Sequence, residues 1–197
     1  KLAAYEAHYP ESAPGTLWFF GLPDAQRERV RFGVGLPGML SFLVHGNAAA
    51  PIPGLRAFPS GDRPPVNVVF QSYHIMVAIG MALIGISLLG LVGLWRGFLF
   101  RSRGLLWAFV FAVLGPQFAN QLGWLSAEVG RQPWIVYGLL RTPAGLSRVV
   151  TAGMVLTSLI LFTLVYLLLF VLFLFLLDRK IKHGPDDAEP DTGGHRA

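Results

Sequence analysis

Cysteine is absent from this chain, which excludes disulfide frameworks, thiolate metal sites and cysteine nucleophiles together. Redox habit therefore says nothing about the compartment. Charge is scarce too, at 14% of 197 residues, where a soluble domain carries about a quarter. The net charge of +5 is scattered along the chain and forms no basic stripe, so nucleic acid is not an expected partner. No internal repeat is visible. The chain opens at Lys1 without a methionine and without a signal-like segment, and it is expected to be processed or to be a piece of something larger.

What the sequence has is apolar length. Hydrophobic residues make up 53% of it and the mean hydropathy is +0.54, a balance that points to an all-α membrane protein. Three stretches exceed the roughly 20 apolar residues that cross a hydrocarbon core, at about 66–94, 105–129 and 149–177. The first is polar only near its start (Asn67, Gln71, Ser72, His74), and the second turns polar towards its end. The third is almost uniformly Leu, Val and Phe, as a lipid-facing outer helix would be.

Residues 1–65 hold no spanning run and are punctuated by proline and glycine, which predicts a long extramembrane loop. One short amphipathic helix is predicted near residues 23–32. Residues 179–197 read as a disordered cytoplasmic tail. Arg96, Arg101 and Arg103 fill the link between the first two spans, and Arg179, Lys180 and Lys182 follow the third. Three spans bring both groups to one side, the cytoplasm by the positive-inside rule. Arg131, Arg141 and Arg148 lie on the other side, so the rule favours this topology against some opposition. Residues 1–65 then lie at the outer face.

Ionisable groups inside a span are costly and ask for a reason. Gln117, Asn120, Trp124, Glu128 and Arg131 recur every three or four residues, so one helix face carries them. Pro116 can kink this helix, and Pro133 is expected to end it near Gln132. Two readings stand. Glu128 and Arg131 form an interfacial ion pair with Trp124 and Trp134 as belt anchors, or Glu128 ligates a metal or takes a proton while Arg131 holds an anion. In the first span His74 and Met76 are two residues apart and point to different sides. Either could ligate haem. Core packing for the methionine and an internal hydrogen bond for the histidine are the plainer alternatives.

The stretch GWLSAEVGRQPWIVYGLLRT at 123–142 resembles the signature of subunit I of cytochrome bd-type quinol oxidases. The resemblance continues in KLAAYE from Lys1, GLPD from Gly21, DRPPV from Asp62 and SYHIMV from Ser72, in the family's order. It implies that this chain is the C-terminal portion, the quinol loop and last three helices, of a nine-helix membrane subunit. The first six helices would be a separate or missing N-terminal half.

The resemblance also implies roles. Met76 matches the axial ligand of a low-spin haem b, and Glu128 the axial ligand of a high-spin haem b. Trp124 matches an aromatic between haems, Arg131 a partner of a haem propionate, and Lys1 and Glu6 loop residues of quinol binding and oxidation. His74 stands where better-known members carry arginine, next to the low-spin haem. A neutral imidazole there would support negative charge less, so His74→Arg is expected to raise that haem's midpoint potential, as a redox titration would show.

A third haem, haem d or a further haem b, is implied as well. So are membrane quinol, dioxygen, subunit II, possible small single-helix subunits and the bacterial cytoplasmic membrane. The implied activity is quinol oxidation at the outer face with dioxygen reduced to water, charge being separated without a pump. The rivals are a haem-free transporter using Glu128 as an ion site, and a purely structural membrane subunit.

Overall fold

The computed structural model describes residues 1–147 and 149–183. The described chain forms two units, Lys1–Gly145 and the segment from Leu146 onward. It is mostly helical, and three helical stretches are long and apolar enough to cross a membrane: Ser60–Trp95, Arg103–Val129 and Ala152–His183.

The first unit begins with a single helical turn, α1 (Leu2–Tyr5), and a short strand β1 (Ser12–Pro14). Strands β2 (Leu17–Asp24) and β3 (Arg29–Leu36) then form an antiparallel hairpin. The amphipathic helix expected near residues 23–32 is therefore not formed. Asp24 decides this locally, because its Oδ1 accepts from the backbone N–H groups of Gln26 and Arg27, both at 3.1 Å. That closes a turn in place of a helix. The Asp24–Arg31 bridge, 3.0 Å, closes the mouth of this turn. Helix α2 (Met39–His45) and strand β4 (Pro51–Pro53) follow, β4 pairing with β1.

Pro64 and Pro65 fix the extended approach to α3 (Val66–Trp95), which has 30 residues. Its end is a Schellman turn. Gly97 adopts φ +73, Gly97 N–H bonds Leu94 O at 3.2 Å, and Phe98 N–H bonds Gly93 O at 2.9 Å. Only glycine enters that left-handed position without strain. The arginine-bearing link leads into α4 (Arg103–Ala112), capped by the Ser102 hydroxyl. The second span breaks at Val113–Leu114, and α5 (Gly115–Val129) restarts with Pro116 in its first turn, where a missing N–H costs nothing. Helix α5 stops at Val129, before the expected Gln132, and strands β5 (Trp134–Val136) and β6 (Leu140–Arg141) form a small hairpin after it.

Helix α3 packs antiparallel to α4 and α5 along a seam of small residues. The Phe109 ring closes over Gly90, and Met76 Sδ lies where a Cβ on Gly123 would sit 2.8 Å away. Close approach at glycines is how membrane helices gain packing energy when the surroundings are as apolar as the helices. The buried core lies at one end of this pair, where Ala3, Ala4, Tyr9, Leu55, Val69 and Phe70 meet, with Trp18 and Val129 against them.

In the second unit α6 runs from Ala152 to His183. The tail expected to be disordered from 179 is helical as far as His183, while residues 184–197, like Arg148, lie outside the described residues. Lys182 pairs with Asp178 one turn back at 2.7 Å, and the basic residues of this last turn suit the negative end of the helix dipole.

Candidate functional site

Glu6 follows α1 and is 2% exposed. Its Oε2 accepts from the Trp18 backbone N–H at 3.0 Å and lies 3.9 Å from His74 Nε2. Burial pushes the Glu6 carboxyl above the usual range, opposed by the Trp18 N–H and by the charge of His74. His74 is buried as well. Its Nδ1 lies 2.9 Å from Phe70 O and its Nε2 2.9 Å from Trp18 O. The imidazole also stacks on Phe70, with centroids 3.9 Å apart. His74 thus fastens α3 to the β2–β3 hairpin, helped by Gln71 Nε2 donating to Gly21 O at 2.7 Å. Glu6 and His74 are far apart in the chain, so no spacing argument connects them and only the folded hairpin brings them together.

Met76 points elsewhere, as the two-residue spacing requires. It is half-buried on the α3–α5 seam with its thioether over Gly123. An adjoining side of α5 carries the polar stripe. Gln117, Asn120 and Trp124 are exposed there, Trp124 at 64%, whereas Ser126 and Gly130 turn inward. Glu128 and Arg131 close the stripe as a direct ion pair. Met76 and Trp124 therefore flank the same turn of α5 from two sides.

Lys1 and Glu6 do not converge. Lys1 Nζ reaches across to the carbonyl of Ala127, 3.3 Å away beside Glu128, while Glu6 is turned towards the hairpin. Lys1 lines a cavity of about 540 Å³ together with Arg63, Arg131, Trp134, Asp62 and Tyr137. Two ion-pair clusters that sequence reasoning missed brace its surroundings. Glu28 in the hairpin turn is gripped by Arg56 and Arg63, whose guanidinium groups hold its carboxyl below the ordinary value. Asp62 accepts from Arg141 at 2.5 Å, and Arg141 also lies over the Trp134 ring at 4.8 Å.

The donor set suits haem better than a bare ion. Among the described residues no group of three or more His, Asp or Glu could hold a metal. The chain offers a soft thioether with no hydrogen-bonding duty and a carboxylate on an open helix face. Each can give one axial bond to an iron whose equatorial ligands come with the macrocycle.

Fold and site define a helical membrane protein segment carrying one candidate axial ligand on each of two packed helices. Residues 1–185 match the family described as cytochrome bd terminal oxidase subunit I, and the chain belongs to that family. It is 34% identical over 197 residues to cytochrome bd ubiquinol oxidase subunit 1 of Bacillus subtilis (strain 168), covering 93% of this chain and 42% of that protein. It is 33% identical over 166 residues to the putative cytochrome bd menaquinol oxidase subunit I of the same organism, covering 83% of this chain and 36% of that protein. Among solved structures, bd oxidase from Geobacillus thermodenitrificans matches with TM-score 0.69 and 33% identity, covering 93% of this chain and 42% of the other. The chain thus spans about 42% of the length of such relatives.

Proposed function

We propose that the chain is the portion of a cytochrome bd-type terminal oxidase that supplies one axial ligand to each of two b-type haems, together with the loop that handles quinol. The observation that carries the reading is the pairing, on two packed helices of a chain in this family, of an unengaged Met76 thioether with the Trp124–Glu128–Arg131 stripe. When bound, the haems supply the one-electron steps that connect quinol oxidation to dioxygen reduction. A haem d or a further haem b would complete the set.

The chain's own residues then have separable tasks. Met76 gives a soft donor that favours the reduced iron of the low-spin haem b. Glu128 would hold the high-spin haem b through its carboxylate, and Arg131, its ion-pair partner here, would hold a propionate with its planar guanidinium. Trp124 fills the space beside them with an aromatic ring. Glu6, buried and with its carboxyl pushed up, takes a quinol proton in a site poor in water, and Lys1 donates to a quinone oxygen. His74 holds the backbone of Trp18 and keeps Glu6 beside the haem-bearing helix. One histidine ligand for the low-spin haem b and one for a haem of the oxygen-reducing pair would come from the N-terminal half of the subunit, and the working enzyme would include subunit II, with small single-helix subunits as possible additions. The loop of residues 1–65 faces outside in a bacterial cytoplasmic membrane, so quinol protons leave there and charge is separated without pumping.

Met76→Leu in the assembled complex tests the ligand assignment. The low-spin haem b band in the reduced-minus-oxidised visible spectrum should vanish or turn high-spin. An unchanged spectrum would return Met76 to simple packing and leave the structural or transporter readings ahead.

A further inference from the structure

The β2–β3 hairpin turns one face to α3 and the core, and nothing among the described residues covers the other. Trp18, Gly21 and Val30 turn inward, where Phe70 lies against Gly21 and a Cβ on Gly33 would strike the Trp18 ring at 2.5 Å. In the outward rows the register pairs Leu17 with Leu36, Phe20 with Val34, and Leu22 with Arg31. Phe20, Leu22, Val34 and Leu36 are exposed, as are Phe19 and Phe32, the last at 84%. A hairpin with one face in water alternates apolar inside with polar outside. This one is apolar on both faces.

Its charges are gathered at one end. No Asp, Glu, Lys or Arg occurs from Ser12 to Pro23 or from Phe32 to Leu55. Asp24, Arg27, Glu28, Arg29 and Arg31 all fall at or beside the turn. Helix α2 enlarges the uncharged end. Gly15 N–H donates to Ser41 Oγ at 2.8 Å, which ties α2 beside the start of β2, and α2 exposes Phe42, Leu43 and Val44. Polarity thus runs along the hairpin, from an apolar open end to a charged turn.

Helix α3 gives this axis a direction. His74 meets Trp18 O and Gln71 meets Gly21 O, so β2 runs against α3 and the turn lies towards the Val66 end. Counting back about 20 residues from the arginine-bearing end of α3 sets the other hydrocarbon boundary close to His74. The apolar open end therefore lies at that boundary, and the charged turn lies among headgroups and water. The unpaired backbone edges of a two-stranded ribbon keep it out of the hydrocarbon itself. At the boundary water and headgroups meet those edges while the apolar side chains reach the acyl chains. Arg27 and Arg29, exposed at the turn, complement the phosphates there.

We propose that the outward face of the hairpin, together with α2, is a lipid-contact surface that seats residues 1–65 on the bilayer. Phospholipid is the partner it fits, acyl chains against Phe20, Val34 and Leu36 and headgroups against the arginines of the turn. The proposal stands apart from the haem and quinol assignments.

Phe20→Cys, carrying a nitroxide label in the complete oxidase in phospholipid nanodiscs, tests it. The chain has no cysteine of its own, and labelling of the unsubstituted complex measures any thiol elsewhere. Relaxation of the label by oxygen, which concentrates in lipid, is compared with relaxation by a water-soluble nickel chelate. The oxygen-to-nickel ratio for Phe20→Cys should exceed that for Arg27→Cys several-fold. Equal ratios would put the face in water and overturn the proposal. A label shielded from both relaxers would overturn it too, because protein then covers the face, whether from the rest of the subunit, subunit II or a second copy. Should Phe20→Cys fail to assemble, Val34→Cys places the label on the cross-strand neighbour, and the same ratios decide.

Discussion

Tyr9 shows what a single side chain can carry at the buried end of the first unit. It is 5% exposed, and its hydroxyl has no partner. Burial first, then the charges of Asp24 and Glu28, push the phenol up to about 12 from the ordinary 10.0. The folded protein thus holds this proton to higher pH than the unfolded chain does. Stability associated with it is intact below pH 10.0 and is lost as pH rises towards about 12. Tyr9→Phe is expected to leave stability at pH 7 unchanged or to raise it by up to about 1 kcal/mol, read as an unchanged or higher melting temperature, since an unmet buried hydroxyl is removed. It should also flatten the alkaline decline, and a lower melting temperature at pH 7 would show that the hydroxyl has a partner after all.

Contacts of this kind were not legible beforehand. Spacing identified Met76, Trp124, Glu128 and Arg131 as groups to examine and put the last three on one face. It could not bring Glu6 to His74, because that follows from how the hairpin folds back on α3.

Elements divided along the same line. The long apolar runs declared themselves by length, and Pro116 announced a break that the backbone makes two residues earlier, at Leu114. The β2–β3 hairpin stands in place of the helix expected near residues 23–32, and the Asp24 turn that decides it is a local side-chain effect. The α3–α5 seam is where element packing controls chemistry. Gly123 leaves room for the Met76 thioether, and a Cβ there would lie 2.8 Å from Sδ. Gly123→Val should push the thioether off its seat at a packing cost of about 1–3 kcal/mol. Under the ligand assignment the low-spin haem b band weakens while the high-spin band persists. Equal loss of both bands would mean that the substitution damages the bundle as a whole and says nothing particular about Met76.

The first unit as a whole has a polar end and a basic end, and these fix how it can sit in a bilayer. Helix α3 is about 45 Å long at 1.5 Å per residue, against a hydrocarbon thickness of about 30 Å. Its surplus falls where Gln71 and His74 are engaged by the hairpin, so the hairpin belongs at the interface on that side. Arg96, Arg101 and Arg103 gather at the far end, and basic residues close to span ends favour the cytoplasm. Arg27, exposed in the hairpin turn, is therefore expected to face outside. Trypsin added to intact spheroplasts should nick the chain at Arg27 and spare Arg101 and Arg103, whereas inside-out vesicles should give the reverse pattern. Cleavage of the arginine link in spheroplasts would invert the topology, set the Lys1 and Glu6 loop in the cytoplasm and reverse the direction in which quinol protons are released.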